Sequence, residues 1–253
     1  MGEPWQATLS GLAMDGTPDE SGCVWGIEEI VGWDSPDMVS QRANRTSGNG
    51  SFGPQARRGG REMTVSGWAE CPSMQAAFAA RDRLPSLTDG ELVRVEDVSK
   101  RLTVTQSGQI RATDPIDGAA TAIFKFQISV VAHYPFKRAL AATTVTVGGG
   151  ATVSHTAAGT FPAEIEVTLT SGGTVDLTIA GLRLRTGSLP SGAVLTSGPG
   201  FTRPKRTIRS SSGANLFGSI VQPMQWPAMV PGANSIHQAG TAGLSIRYFP
   251  TYA

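Results

Sequence analysis

The sequence predicts an all-β chain with one short helix, folded as two domains. Three observations carry that expectation. Most segments are short, β-branched and alternating, and are bounded by Gly, Pro, Asn or Asp, the pattern of strands and their turns. Only one stretch has helical spacing. Strands and helices do not alternate along the chain, so a parallel sheet of βαβ units is excluded. At 253 residues the chain is long for one domain and suits two of ordinary size.

In order, the first strand candidate is CVWGIEEIVGW (23–33), followed by a polar, glycine-rich stretch over 34–60. REMTVSGWAE (61–70) returns to strand character. A helix is expected over 73–84, with Ser73 as its N-cap and Pro85 as its stop. Met74, Ala77, Phe78 and Arg81 recur there at steps of three and four, and the Met/Phe stripe is expected to pack on a sheet. Strands follow at ELVRVED (91–97), RLTVTQS (101–107) and AIFKFQISVVAHY (122–134). In the last, Phe124, Phe126, Ile128 and Val130 alternate with polar neighbours, which places them on one buried face. The second half has no convincing helical period. TTVTVGG, AEIEVTLTSG, TVDLTIAGLRLRTG, AVLTSG, TRPKRTIRS and AGLSIRYF succeed one another between glycine-bearing turns, which reads as a β-sandwich. GGGATVSHTAAGTFP reads as a seam, and a boundary near residues 135–141 gives domains 1–138 and 139–253.

Composition removes several function classes. No apolar run approaches the roughly 18 residues of a membrane helix. MGEPWQATLSGLAMDG lacks the basic start and apolar core of a secretory signal, so cytoplasmic synthesis is expected. Net charge is only +1, yet residues 1–41 hold eight acids and no Lys or Arg, while after Asp176 there are seven bases and no acid. That asymmetry fits either two solvated surfaces of opposite sign or complementary faces within or between subunits. Cys23 and Cys71 form no C-x-x-C and are too few for a disulfide framework, so they are expected as reduced, partly buried thiols. His133, His155 and His237 are far apart in sequence, and no metal is expected.

SGNGSFG (47–53) has the Gly-x-Gly-x-x-Gly spacing of a dinucleotide loop. Such a loop needs a helix starting in it to hold the pyrophosphate, and here Pro54 and a strand follow, so no cofactor is expected. What remains is an arm over 34–60 bearing several arginines. It reads either as a solvated loop or as an extended hairpin that orders against a neighbouring subunit. No nucleophile elbow, phosphate loop or metalloprotease motif occurs. Glu28/Glu29 and Glu96/Asp97 are adjacent pairs that a strand points to opposite faces. Glu164 and Glu166 share a face and have the form of a glycosidase or cell-wall hydrolase pair, but are read as a solvated strand face, and no enzyme is expected. TRPKRTIR (202–209) can touch phosphates, with only Phe201 nearby for stacking.

Three stretches together resemble the distal tail proteins of long, non-contractile phage tails. They are GIEEIVGWDSPDMVS…GNGSFGPQARRGGREMTVSGWAE, FKFQISVVAHYPFKR, and QPMQWPAMVPGANSIHQAGTAGLSIRYFPTYA with its Pro-Gly-x-Asn turn. The resemblance implies a tail-tube-like first domain and a galectin-like or carbohydrate-module-like second β-sandwich. It implies a ring of six copies joining the tail tube to the tail-tip hub, with a lumen that passes DNA without reading its sequence. The implied partners are the chain itself, the major tail tube protein, the tape measure protein and the tail-tip hub proteins. The implied place is the tail tip of a virion assembled in the host cytoplasm, with no membrane insertion. Candidate subunit-interface or lumen residues are Arg42, Arg45, Gly48, Gly50, Phe52, Gly53, Arg57, Arg58 and Arg61. A ring requires heterologous contacts, and the acidic stretch 15–37 is expected to meet the basic loop 42–61 of the next copy. The alternative is a tail protein that binds host-surface carbohydrate, with Trp226 and Tyr248 as contacts, although Met224, Pro227 and Met229 around Trp226 also suit a core or interface.

Overall fold

The structure, a computed structural model, describes residues 7–34, 38–39, 43–44, 51–52, 57–87, 89–94, 99–118, 120–197, 206–221 and 225–252. It divides into two compact units, Met1–Lys137 and Arg138–Ala253. The fold is all-β with one α-helix among the described residues.

The first unit begins with β1 (Ala7–Leu9), β2 (Leu12–Met14) and β3 (Val24–Val31). The short strands β4 (Met38–Val39), β5 (Ala43–Asn44), β6 (Ser51–Phe52) and β7 (Arg57–Arg58) precede the long β8 (Arg61–Cys71). After α1 (Met74–Arg83) come β9 (Asp89–Arg94), β10 (Lys100–Gln106), β11 (Arg111–Ala112), β12 (Ile116–Asp117) and β13 (Ala122–Ala132). One antiparallel sheet runs β2-β1-β9-β10-β13-β8-β3. It curls round on itself, because the segment after β2 returns to β3: the Gly16 amide donates to the Trp25 carbonyl at 3.0 Å and Pro18 bridges Val24.

β13 and β8 pair along their full length, from Ala122↔Cys71 to Ala132↔Arg61. The period of two therefore buries Phe124, Phe126, Ile128 and Val130 as their alternation demands. Trp25 fills the centre of this core, edge-on to Phe124 and Phe126 at 5.8 and 5.7 Å between ring centroids. The sheet leaves no room for side chains at Gly26 and Gly67. A Cβ on Gly26 would lie 2.5 Å from the Trp68 ring, and one on Gly67 would lie 2.7 Å from Phe126.

Ser73 caps α1, its hydroxyl accepting from the Ala76 amide at 3.2 Å. The expected packing stripe is corrected in part: Met74 packs against the core and Ala77 and Ala80 are buried, whereas Phe78 is 42% exposed beneath the Arg81 guanidinium. Small side chains let the helix lie close on the sheet, which a phenyl ring on that face would prevent. The cysteine expectation is also corrected. Cys23 precedes β3 and Cys71 ends β8, directly across from it, and the two form a disulfide with Cα atoms 4.1 Å apart. Sequence spacing alone could not see that cross-strand register.

The second unit is a β-sandwich preceded by β14 (Lys137–Ala139), which pairs with the last strand. Its strands are β15 (Thr143–Val147), β16 (Ala151–Ala157), β17 (Ile165–Leu169), β18 (Gly173–Ile179), β19 (Leu182–Leu189) and β20 (Val194–Thr196), then β21 (Thr207–Arg209), β22 (Gly232–Gln238), β23 (Leu244–Tyr248) and β24 (Thr251–Tyr252). A five-stranded sheet, β15-β23-β17-β20-β21, faces a four-stranded one, β16-β22-β18-β19. Residues 151–157, read from sequence as part of a seam, are the strand β16 inside this unit. Its small, polar composition disguises an edge strand. The Pro-Gly-x-Asn turn acquires a physical meaning here. Buried Asn234 accepts from the Val230 amide at 3.1 Å and donates to the carbonyls of Val230 and Gly232, each at 2.8 Å.

Candidate functional site

Among the described residues no group of three metal-ligating side chains converges, and the candidate site is a surface on the first unit. Its base is the root of the arm. Gly32 turns the chain there with φ +87°, where a Cβ would lie 2.3 Å from the Glu62 carbonyl oxygen. Arg61, expected at an interface or lumen, is instead 1% exposed. Its Nε donates to the Pro135 carbonyl at 3.0 Å and its Nη1 to the Trp33 carbonyl, which ties the two ends of the arm to the end of the unit. Lys137 closes the same corner, its Nζ 4.8 Å from the Trp33 ring centroid. Arg61 is thus a clamp and its side chain presents nothing to a neighbour.

The described residues of the arm pair as an antiparallel hairpin does. β4 pairs with β7 (Met38↔Arg58, Val39↔Arg57) and β5 with β6 (Ala43↔Phe52, Asn44↔Ser51). Phe52, Arg57 and Arg58 therefore lie on its strands, while Arg42, Arg45, Gly48, Gly50 and Gly53 lie outside the described residues. Of the glycine fingerprint only Ser51 and Phe52, in β6, are described, and the next described residues, Arg57 and Arg58, form β7.

Among the described residues the sheet leaves two edges without a strand partner, β11–β12 on one side and β3 beyond Trp25 on the other. β10 accompanies β13 only at Thr105↔Val131 and Gln106↔Val130, after which β11 and β12 take its place. Locally the order is β12-β13-β8-β3, four antiparallel strands. On one edge Ile116 is 73% exposed, and its cross-strand partner Ile123 is 41% exposed. They line a cleft of about 330 Å³ with Thr113, Asp117, Gly118, Phe124 and Lys125. On the other edge Val31 is 53% exposed, and a bulge between Ile27 and Glu29 leaves both Glu28 and Glu29 exposed rather than on opposite faces. Glu28 meets Lys125 at 2.6 Å.

Much of the acidic stretch is engaged internally. Asp19 accepts from the amides of Ser21 and Cys23 and from the Trp25 indole at 2.8, 3.0 and 2.9 Å, and meets Arg83 at 3.4 Å. Burial opposes its charge, but these donors and the Arg83 charge outweigh it and hold the carboxyl below its ordinary value. Asp15 is likewise held low by the Thr17 hydroxyl and amide. Glu20 is exposed. Among described residues no group of three metal-ligating side chains converges, and no helix is long and apolar enough to cross a membrane.

In the second unit, the proposed aromatic contacts are corrected. Tyr248 is 1% exposed, its hydroxyl 2.8 Å from His155 Nε2, and burial raises its pKa. Trp226 is buried and stacks on Phe217 at 6.4 Å between centroids. Neither ring offers a platform to a sugar. Glu166, its side chain 19% exposed, pairs with Arg247 at 3.6 Å. Sequence reasoning missed the Ile116 edge, whose only signal is a lone isoleucine between Asp-Pro and Asp-Gly turn pairs.

This order of a curled antiparallel sheet, a helix and a following β-sandwich is similar to that of solved phage tail and baseplate proteins. The Dit protein of phage SPP1, described as a paradigm of the hub adsorption apparatus in phages infecting Gram-positive bacteria, is similar with a TM-score of 0.66 at 13% identity. The match covers 98% of this chain and 99% of that one. Chains of the phage P2 baseplate in its activated conformation, with calcium or with strontium, match with TM-scores of 0.51 at 7% identity. Each covers 96% of this chain and 97% of the other. No family model and no curated protein matches the sequence.

Proposed function

We propose that this chain is a structural, non-enzymatic protein of a phage tail tip: an adaptor whose copies close into a ring, with six copies as the expected number. The ring joins the tail tube to the tail-tip hub, contacts the tube and tape measure proteins, and passes DNA through its lumen. The observation that carries this reading is the fold likeness, which spans both units and nearly the whole length of both chains.

The free edges support it physically. With an even number of antiparallel strands in β12-β13-β8-β3, the two outermost strands run in opposite directions. A rotated copy can therefore set its β3 edge against the β11–β12 edge of its neighbour as an antiparallel pair, a heterologous contact that closes. Ile116 and Val31 become covered in that arrangement, and the basic arm has exposed acids of the next copy within its reach.

Native mass measurement of the full chain tests the reading. A single closed oligomer is expected. Ile116→Lys and the pair Arg57→Glu with Arg58→Glu should each shift it toward monomer. A monomeric wild-type chain, or an oligomer indifferent to both changes, overturns the arrangement.

A further inference from the structure

The second unit carries eight Lys or Arg against three acids, a net charge of +5, whereas the first carries −4. Part of that surplus is organised on the outer face of β16-β22-β18-β19. The registers Thr152↔His237, Thr178↔His237 and Thr178↔Arg183 place four side chains in one row across all four strands. The row spans three inter-strand steps, roughly 14 Å, so it suits an extended chain better than a small molecule. Asp176↔Arg185 lies in the next position of the same face.

The polar groups are held in place. Asp176 receives Arg183 Nε and Nη2 at 2.7 Å each and lies 3.6 Å from Arg185. Arg183 keeps Nη1 outside that fork, and the two arginine side chains remain 54% and 46% exposed. Thr152 Oγ1 engages His237 Nδ1 at 2.8 Å, which leaves Nε2 for a ligand. Ser154↔Ser235 adds a second pair of exposed hydroxyls beside the row. Asp176 is the only acid on these four strands.

We propose that this face binds an acidic, hydroxyl-rich polysaccharide, a uronate-bearing glycan of a cell surface. Its carboxylates meet Arg183 and Arg185, and its hydroxyls bridge Thr152, Thr178, His237 and the free lone pairs of Asp176. Nucleic acid fits less well, because no Phe, Tyr or Trp lies on these four strands for bases to stack on. The inference takes only the tail-tip location from the adaptor reading and does not need the ring.

The test is titration calorimetry of the full-length protein with oligogalacturonate, alongside neutral dextran oligomers and oligo-dT. Saturable binding to oligogalacturonate alone is expected, weakened at least about tenfold in Arg183→Ser/Arg185→Ser and in His237→Ala. Arg247→Gln, on the opposite sheet, should bind as wild type, and thermal unfolding should show every variant folded. No saturable heat, or an equal loss in Arg247→Gln, overturns the proposal. Equal binding of oligo-dT also overturns it and makes the face a nucleic-acid site. The oligomer mass of the same samples should not change, which keeps this outcome separate from the adaptor reading.

Discussion

The two units solve the problem of sheet edges in different ways. The second stacks two sheets, and its aromatic residues Trp226 and Tyr248 lie within its core. The first curls one sheet but lets β10 leave β13 early, so Ile116 is exposed on the β12 edge, while Val31 is exposed on β3. Open edges with exposed β-branched residues are an aggregation hazard unless a partner covers them. In the proposed ring a second copy covers the edges of the first unit, while the second unit carries the surplus of basic residues.

The comparison can be broken most severely at Trp25, around which the first unit packs. Trp25→Ala should destabilise that unit by about 3–5 kcal/mol, leaving a cavity and removing a donor to Asp19. In heteronuclear NMR spectra the second unit's signals should persist as the first unit's are lost. The disulfide comes next. It closes a 48-residue separation that contains the arm, so Cys71→Ser should cost about 2–4 kcal/mol in denaturant titration. In the second unit, Asn234→Ala strands three backbone hydrogen bonds and should cost about 1–3 kcal/mol.

The smallest effect is pH dependence at Asp19. Its folded pKa lies below the unfolded value, so the stabilisation is present above the ordinary carboxylate range and is lost as pH falls through the folded pKa. Melting temperature of the first unit should drop on acidification, with a shallower slope in Asp19→Asn. An unchanged slope would show that the Trp25 and amide contacts to Asp19 do not contribute.

Local pattern made much of this molecule legible. The alternation of 122–134, the cap at Ser73 and the glycine-bearing turns of the second half all express short-range preferences, and the elements follow them. Contacts set by register were not legible. Cys23 and Cys71 are neighbours only because β3 and β8 pair with one particular offset. Arg61 looked like one more arm arginine, yet its place at the first residue of β8 turns it inward against Trp33 and Pro135. Phe78 followed the helical period but lost the packed face to Ala77 and Ala80. The basic row across the second unit needed three registers before Arg183 and His237 could be placed on one line.

Negative-stain imaging of the purified full-length chain tests the central claim most directly. The expected result is a uniform population of closed rings with a central opening and six-fold symmetry. Monodisperse single particles of monomer size, under conditions where the protein is folded, would contradict it.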